Sequence, residues 1–245
     1  MQYRSRSLIS LITGLAFMAL GGSTAFAQNT PPEPILINVM QVQVKPGEVG
    51  NFRSLHREEI MPNGQAQGEP WRLTGSLFFG DSFQFIVAQP LANYAQLDSG
   101  GGGLSDMGSN TFQNAVEWRK RFVVTTRPDM SIGGGSGVQA LRRMARFQVK
   151  PGSVPAFEEF WNDTIAPAIR DAGMTGYQVF QTLVGGPQGE YYGAIYLPNF
   201  AALDATNFAT ILSEREQQEF GELVDEFEVT IQRVDRELSY GLPGL

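Results

Sequence analysis

The pentapeptide Gln43-Val44-Lys45-Pro46-Gly47 occurs a second time 105 residues later (148 − 43), as Gln148-Val149-Lys150-Pro151-Gly152. Each copy ends an apolar run of the kind that forms a strand, and each leads into a segment with helical periodicity. Pro followed by Gly marks a turn, so each copy predicts a strand, a tight turn and a helix. We therefore interpret the chain as an internal duplication.

The register between the two copies holds beyond the pentapeptide. At the same offset Phe52 matches Phe157. One loop residue is then added, and near the end of each copy the offset returns to 105 and pairs Trp118 with Leu223. Two long copies are too few for a solenoid and suggest a pair that resembles a homodimer within one chain.

The duplication divides the chain into five segments. They are a signal peptide at 1–27, an extended tether at 28–35, a first unit at 36–130, a glycine-rich linker at 131–140 and a second unit at 141–240. Each unit is predicted to have the ferredoxin-like order βαββα(α)β, with its helices on one face of an antiparallel sheet. The predicted fold class is therefore α+β, with the two sheets packing into a pseudo-dimeric α+β barrel.

The sheets are expected to pack face to face, because the face without helices would otherwise stay exposed to water. In the first strand, Val42 and Val44 share the face that we expect to be covered. Their counterparts Phe147 and Val149 would pack against them. Burying a side chain of this size contributes roughly 1.5–3 kcal/mol.

The N-terminus has the pattern of a secretory signal. Arg4 and Arg6 precede an apolar stretch, and Ala25-Phe26-Ala27 has the small residues of a cleavage site. A bacterial Sec signal cleaved after Ala27 predicts a periplasmic or secreted protein with no membrane association afterwards; a retained N-terminal anchor is the alternative. The chain has no cysteine, which excludes a lipoprotein anchor, disulfides and thiolate chemistry.

The composition excludes two classes of partner. With 18 basic and 25 acidic residues, the formal net charge is −7, whereas nucleic-acid binding requires a basic surface. The chain has one histidine and no cysteine, so we expect no conventional zinc site and no other metal or cofactor.

The candidate catalytic residue is His56, the only histidine. It follows Phe52 by four residues, so both lie on one helical face and His56 is predicted to point into a cleft between helix and sheet. Its intrinsic pKa suits a general base. Its counterpart in the second copy is Trp161, which suggests one working cleft and one filled cleft. A half-buried histidine at the edge of a helix is the alternative.

The candidate substrate-binding residues are aromatic. They could line an apolar pocket, or they could be ordinary core residues. The residues are Trp71, Trp161, Tyr177 and Tyr192.

A strand that ends in Val-Lys-Pro-Gly, followed by a helix with Phe five residues after the Gly, resembles the dimeric α+β barrel superfamily. The pattern is most similar to antibiotic-biosynthesis-monooxygenase-like and NIPSNAP-like domains, and Phe52 and Phe157 hold the Phe position. The resemblance implies a substrate cleft between helices and sheet. It covers cofactor-free monooxygenases, isomerases, haem-degrading enzymes and members without assigned activity. The Asn, Trp and helical His of the haem degraders have no matching set here.

The sequence thus predicts an exported protein that binds a small hydrophobic or aromatic molecule. In one hypothesis it is a cofactor-free monooxygenase or isomerase, and His56 transfers the proton. In the other it is a non-catalytic binding or envelope-associated protein. An open cavity in one copy would favour the first hypothesis, and a filled cleft around His56 would favour the second.

Overall fold

The computed structural model describes most of the chain after the predicted signal peptide. The described ranges are 32–79, 83–98, 110–133, 137–206 and 208–245. The predicted signal peptide, most of the glycine-rich stretch before Asn110 and part of the predicted linker lie outside them. Within these ranges, no helix combines the length and the hydropathy of a membrane span.

Within the described residues, eight antiparallel strands form one closed barrel. Around the barrel the order is β1-β3-β2-β8-β5-β7-β6-β4, and β4 pairs with β1. In chain order the strands are β1 (Leu36–Val44), β2 (Leu73–Leu77), β3 (Gln84–Leu91), β4 (Val116–Thr126), β5 (Leu141–Val149), β6 (Gln178–Val184), β7 (Glu190–Leu197) and β8 (Val224–Val234).

Short helices flank the barrel. Two π-helical turns, His56–Ile60 and Trp161–Ile165, join α1 to α2 and α4 to α5. The α-helices are α1 (Val49–Leu55), α2 (Met61–Ala66), α3 (Asn110–Ala115), α4 (Val154–Phe160), α5 (Ala166–Asp171), α6 (Phe208–Ile211) and α7 (Glu214–Leu223). The 3-10 helices are Tyr94–Leu97, Phe200–Thr206 and Arg236–Leu238.

The predicted α+β arrangement, two ferredoxin-like units whose sheets pack face to face, is wrong. β2 pairs with β8 and β4 pairs with β6, so strands from the two halves join edge to edge and close a single barrel. An open edge would leave a row of N–H and C=O groups without partners, and closure pairs them. Edge pairing therefore decides the architecture.

The packing predicted for the first strand of each half is wrong for the same reason. Val42 and Val44 lie in a buried cluster with Phe52 of α1, on the outside of the barrel. Phe147 and Val149 lie in a separate cluster with residues of helices α4 and α5. Alternation along a strand defines two faces but does not tell which face meets a helix and which meets the barrel interior.

A register shift lies at the pentapeptide in both halves, where β1 meets β4 and β5 meets β8. Gln43 pairs with Trp118, and Gln148 pairs with Glu226. Trp118 therefore corresponds to Glu226, and the predicted match to Leu223 is wrong. The preceding helices differ in length, with 6 residues in α3 and 10 in α7, so a constant offset could not hold here.

Helical periodicity in the sequence extends over residues 111–120 and, in the second half, through Glu226, but both helices end earlier because a long strand follows. α3 ends at Ala115 and α7 ends at Leu223. In both cases a valine begins the strand, Val116 in β4 and Val224 in β8. β-Branched residues fit a pleated, half-buried surface better than a helix.

β1 and β5 run in the same direction, because four antiparallel pairings separate them on either side of the barrel. The ends of both strands, each with its pentapeptide, therefore lie at one mouth, which we call the pentapeptide mouth. The opposite mouth carries the C-terminal segment, where the Val138 N–H donates to the Pro243 carbonyl at 2.8 Å. The two mouths are thus built from unlike parts of the chain.

Candidate functional site

His56 is fully buried where α1 passes into the π-helical turn. Its Nε2 lies 3.4 Å from the hydroxyl of Thr74 on β2, and its Nδ1 has no hydrogen-bond partner among the described residues. π-Helical turns are rare and are frequent at functional sites. The predicted face of this helix is correct, and the side chain lies deeper than a cleft-facing base would.

Burial, together with the smaller effects of the charges on Arg72 and Arg53, lowers the pKa of His56 to about 3. Arg72 is itself fully buried, with an ion pair to Glu69 at 2.7 Å and a hydrogen bond to Gln89 at 3.0 Å. His56 is therefore neutral at neutral pH. Side chains, rather than open space, surround it, and it does not line the large cavity of the barrel.

The matching region of the second half is packed with aromatic rings. Trp161 is fully buried, and its Nε1 donates to the Met130 carbonyl at 2.8 Å. The ring of Tyr177 lies 5.8 Å from that of Trp161, and burial raises the pKa of Tyr177. These two predicted pocket residues thus lie together in the interior of the second half, away from the barrel cavity.

A cavity of about 1410 Å³ runs through the barrel interior and continues to segments outside the strands, such as residues 172–176. Pockets for small ligands usually measure roughly 300–1,000 Å³. Side chains of all eight described strands line the cavity, and so do Trp71 and Tyr192, the two other predicted pocket residues. Eight-stranded barrels are commonly just filled by their own side chains or hold one small ligand, and this cavity is large enough for a small molecule.

The cavity has two apolar walls of different chemistry. Val39 of β1 and Ile86 of β3 belong to an aliphatic wall. Phe122, Phe180 and Tyr192 form an aromatic wall on β4, β6 and β7, and the rings of Phe122 and Tyr192 stack with their centroids 5.9 Å apart. Burial raises the pKa of Tyr192, so its hydroxyl stays protonated and can donate a hydrogen bond.

Charged groups cluster at the pentapeptide mouth. Arg146 forms ion pairs with Glu190 at 2.8 Å, Glu226 at 3.0 Å and Glu228 at 3.8 Å. Glu190 is fully buried, so the arginine compensates a carboxylate that would otherwise be costly. Gln41 stands at the matching position of the first half, which makes the mouth asymmetric. Among the described residues, no His, Cys, Asp or Glu cluster is arranged to hold a metal ion.

Further along β5, towards the opposite mouth, Arg142 lines the cavity and is 8% exposed. Its Nε and Nη2 both donate to the Oε1 of Gln232, Nε at 2.9 Å. No carboxylate of the described residues lies within 4 Å of its guanidinium. The site therefore contains a buried positive charge that the described chain does not balance.

Arg142 was not among the residues that the sequence pointed to. The strand pattern in the sequence begins at Met144, whereas β5 begins at Leu141, so Arg142 lies outside the pattern. The duplication held a usable signal, because the position that matches Arg142 at the offset of 105 is the apolar Ile37. The two halves therefore differ in charge at this inner position of the barrel.

No protein-family model matches the sequence, and no curated protein matches it. Solved structures share the fold. A presumed monooxygenase from Lactobacillus acidophilus NCFM is 14% identical, with a TM-score of 0.51 over 82% of this chain and 93% of that chain. An anthrone oxidase-like protein is 13% identical, with a TM-score of 0.57 over 86% and 94%. A variant of chlorite dismutase from Candidatus Nitrospira defluvii is 9% identical, with a TM-score of 0.58 over 82% and 92%.

At these identities the likeness shows the fold alone. The fold of this chain is therefore shared with presumed monooxygenases, the class of enzyme that the Val-Lys-Pro-Gly motif resembles.

Proposed function

We propose that this protein binds a small, largely hydrophobic molecule inside its barrel. The cavity of about 1410 Å³ carries the proposal, because its aliphatic and aromatic walls would remove the apolar surface of a ligand from water. Such burial contributes roughly 25 cal/mol per Å² of apolar surface. The walls of the cavity favour a ligand that contains a flat ring, since rings stack on aromatic side chains.

The finer parts of the proposal rest on the sequence. The signal peptide pattern at 1–27 supports export to the periplasm or the medium. The repeated pentapeptide, with the same register shift beside each copy, supports an origin in two fused copies. We propose that the two halves act as an intramolecular pair.

Binding is tested with N-phenyl-1-naphthylamine, a neutral dye that fluoresces in apolar surroundings. The purified protein is expected to bind one dye per chain. Val39→Trp places an indole ring inside the cavity and should weaken binding about tenfold or more, because the ring takes up space that the dye would occupy and overpacking is costly. Glu219→Trp, on the exposed side of α7, is the matched control and should bind like the wild type.

Two results would contradict the proposal: no saturable dye binding by the folded wild type, or equal binding by Val39→Trp and Glu219→Trp. Circular dichroism and thermal melts report whether each variant folds. Thr230→Trp, from the facing strand β8, replaces Val39→Trp if that variant does not fold.

A second function is supported by the π-helical turn at His56 and by the monooxygenase-like fold. It is a cofactor-free oxidation or isomerisation in which the free Nδ1 of neutral His56 accepts a proton. The filled surroundings of His56, and its pKa of about 3, which makes it a weak base, place this function after non-catalytic binding. Mass spectrometry of molecules that co-purify with the protein supplies the substrate to test, and unchanged turnover by His56→Ala would exclude the role.

A further inference from the structure

We propose that the ligand carries an anionic oxygen group, such as a carboxylate or a sulfonate, and that Arg142 binds this group inside the barrel. The inference rests on the proposed function, since it names the chemical class of ligand that the cavity takes. It concerns a side chain that no sequence motif singled out.

The burial of Arg142 is the first observation. Arginine is almost never fully buried unless it is paired, because removing a charge from water costs several kcal/mol even after relaxation. Arg142 is 8% exposed and has only the neutral oxygen of Gln232 as its described partner. An anion in the cavity would supply the missing countercharge.

The geometry of the guanidinium is the second observation. Nε and Nη2 donate to Gln232, whereas Nη1 makes no hydrogen bond to a residue that the structure describes. The edge formed by Nη1 and the second hydrogen of Nη2 is therefore available. A guanidinium edge presents two parallel N–H donors, which fit two oxygens of one carboxylate or sulfonate.

The surrounding charges decide at which end of the barrel the anion sits. At the pentapeptide mouth the positive charge of Arg146 is compensated by Glu190, Glu226 and Glu228. Lys120, which pairs with Gln41 at this end of the barrel, adds a second positive charge, so two positive and three negative groups leave a net charge of −1 that disfavours an anion there. Next to Arg142, the paired inner positions are Gln232 on β8 and Tyr196 on β7, which are both uncharged.

The aromatic wall then positions the rest of the ligand. Tyr196 pairs with Arg142 and lines the cavity beside it, so a ring attached to the anionic group would lie against Tyr196. Tyr192, four residues away on β7, and its partner Phe180 on β6 would contact the more distant apolar part of the ligand. The first half has Ile37 where the second has Arg142, so the described barrel has this anchor on one side only. An aromatic or aliphatic acid is the ligand that these features fit.

The test compares two dyes with the same rings. 1-Anilinonaphthalene-8-sulfonate carries an anionic sulfonate, and N-phenyl-1-naphthylamine is neutral. Arg142→Met keeps much of the side-chain volume and removes the charge. We expect the sulfonate dye to bind Arg142→Met about tenfold or more weakly than the wild type, and the neutral dye to change by less than about twofold. Arg142→Lys keeps a positive charge but lacks the two parallel N–H donors of the guanidinium, so it should recover part of the lost affinity for the sulfonate dye.

Arg215→Met is the matched control, because Arg215 is exposed on α7 and does not line the cavity. It makes the same substitution and the same change of net charge, and it should alter sulfonate-dye binding by less than about twofold because exposed charges are screened. Lys120 is a second cation that lines the cavity, so an equal or larger loss in Lys120→Met than in Arg142→Met would place the anion there and overturn the inference.

The remaining outcomes separate the inference from the proposed function. If the wild type binds neither dye, the cavity is not a binding site and both proposals fail. If it binds both dyes and Arg142→Met weakens neither, or weakens both equally, only the role of Arg142 is overturned. Arg142→Gln, which keeps a polar head group, serves the same comparison if Arg142→Met does not fold.

Discussion

For His56, helical periodicity predicts the face of the helix but not the depth of burial. The spacing from Phe52 predicted the correct helical face, because residues four apart in a helix are neighbours. The depth of burial was not predictable from the helix, since it depends on Thr74 and Arg72, which lie on or beside a strand distant in sequence. The catalytic role of His56 stays a prediction.

The low pKa of His56 predicts that the free energy of unfolding decreases in acid. Its folded-state pKa is about 3, against 6.5 when unfolded, so between these values the unfolded state binds a proton that the folded state does not. Stability therefore falls as the pH drops from 6.5 to 3, by about 1.4 kcal/mol per pH unit. Between pH 7 and pH 5 this term is roughly 2 kcal/mol. Urea unfolding at both pH values measures it.

His56→Gln lacks the titrating ring and should lose less stability than the wild type over the same interval. Carboxylates titrate in both proteins, so the difference between the two profiles isolates His56. Parallel profiles would mean that His56 is not held neutral by the fold.

For Arg142, the sequence pattern does not predict that the side chain lies inside the barrel. A charged residue near the start of a strand is most often exposed, and alternation alone does not say which face looks into a barrel. Its inward position follows from its pairing with Tyr196 and Gln232. That pairing depends on strands more than 50 residues away.

At the scale of the element, the pentapeptide was the most informative part of the sequence. Both copies form the predicted strand, turn and helix, in β1 to α1 and in β5 to α4. Gly47 and Gly152 adopt φ of 83° and 81°, a left-handed conformation that glycine takes without strain. Ser213 and Glu216, which have the sequence spacing of a capping box, form one at the start of α7. Local chemistry of this kind is readable because its causes lie within a few residues.

Gly47→Ala should therefore destabilise the protein by about 1–2 kcal/mol, the usual cost of a left-handed conformation for a residue with Cβ. A Cβ at Gly47 would meet nothing within 4 Å, so no clash contributes. Gly50→Ala in α1 is the matched control, because its added Cβ also meets nothing and its φ is not positive. It should be neutral or slightly stabilising. Thermal melts compare the two, and equal effects would contradict the argument.

At the scale of the whole molecule, the sequence indicated that the two halves combine but not how they join. Apolar alternation describes faces of a sheet, whereas the barrel is closed by edges, through β2–β8 and β4–β6. Edge pairing is made by backbone groups, which every residue carries, so side-chain patterns hold little information about it. For the same reason the sequence predicted that Val42 and Val44 pack against the other half, whereas they pack against α1.

A closed barrel predicts that the halves unfold together. Phe52 and Phe157 are both fully buried, one in each half. Phe52→Ala and Phe157→Ala should each cost about 3–5 kcal/mol and move one common transition. Calorimetry and circular dichroism should give the same midpoint in each variant. Two separate transitions, each sensitive to one substitution, would show that the halves fold independently.

The shared direction of β1 and β5 has a consequence for stoichiometry. A repeat usually suggests two equivalent sites, but here both repeats contribute walls to the same lumen. A chain cut between Gly133 and Gly137 would therefore yield two fragments, neither of which contains a complete cavity. Mixing them would restore dye uptake only to the extent that they reassociate, so uptake would rise with the product of the two fragment concentrations.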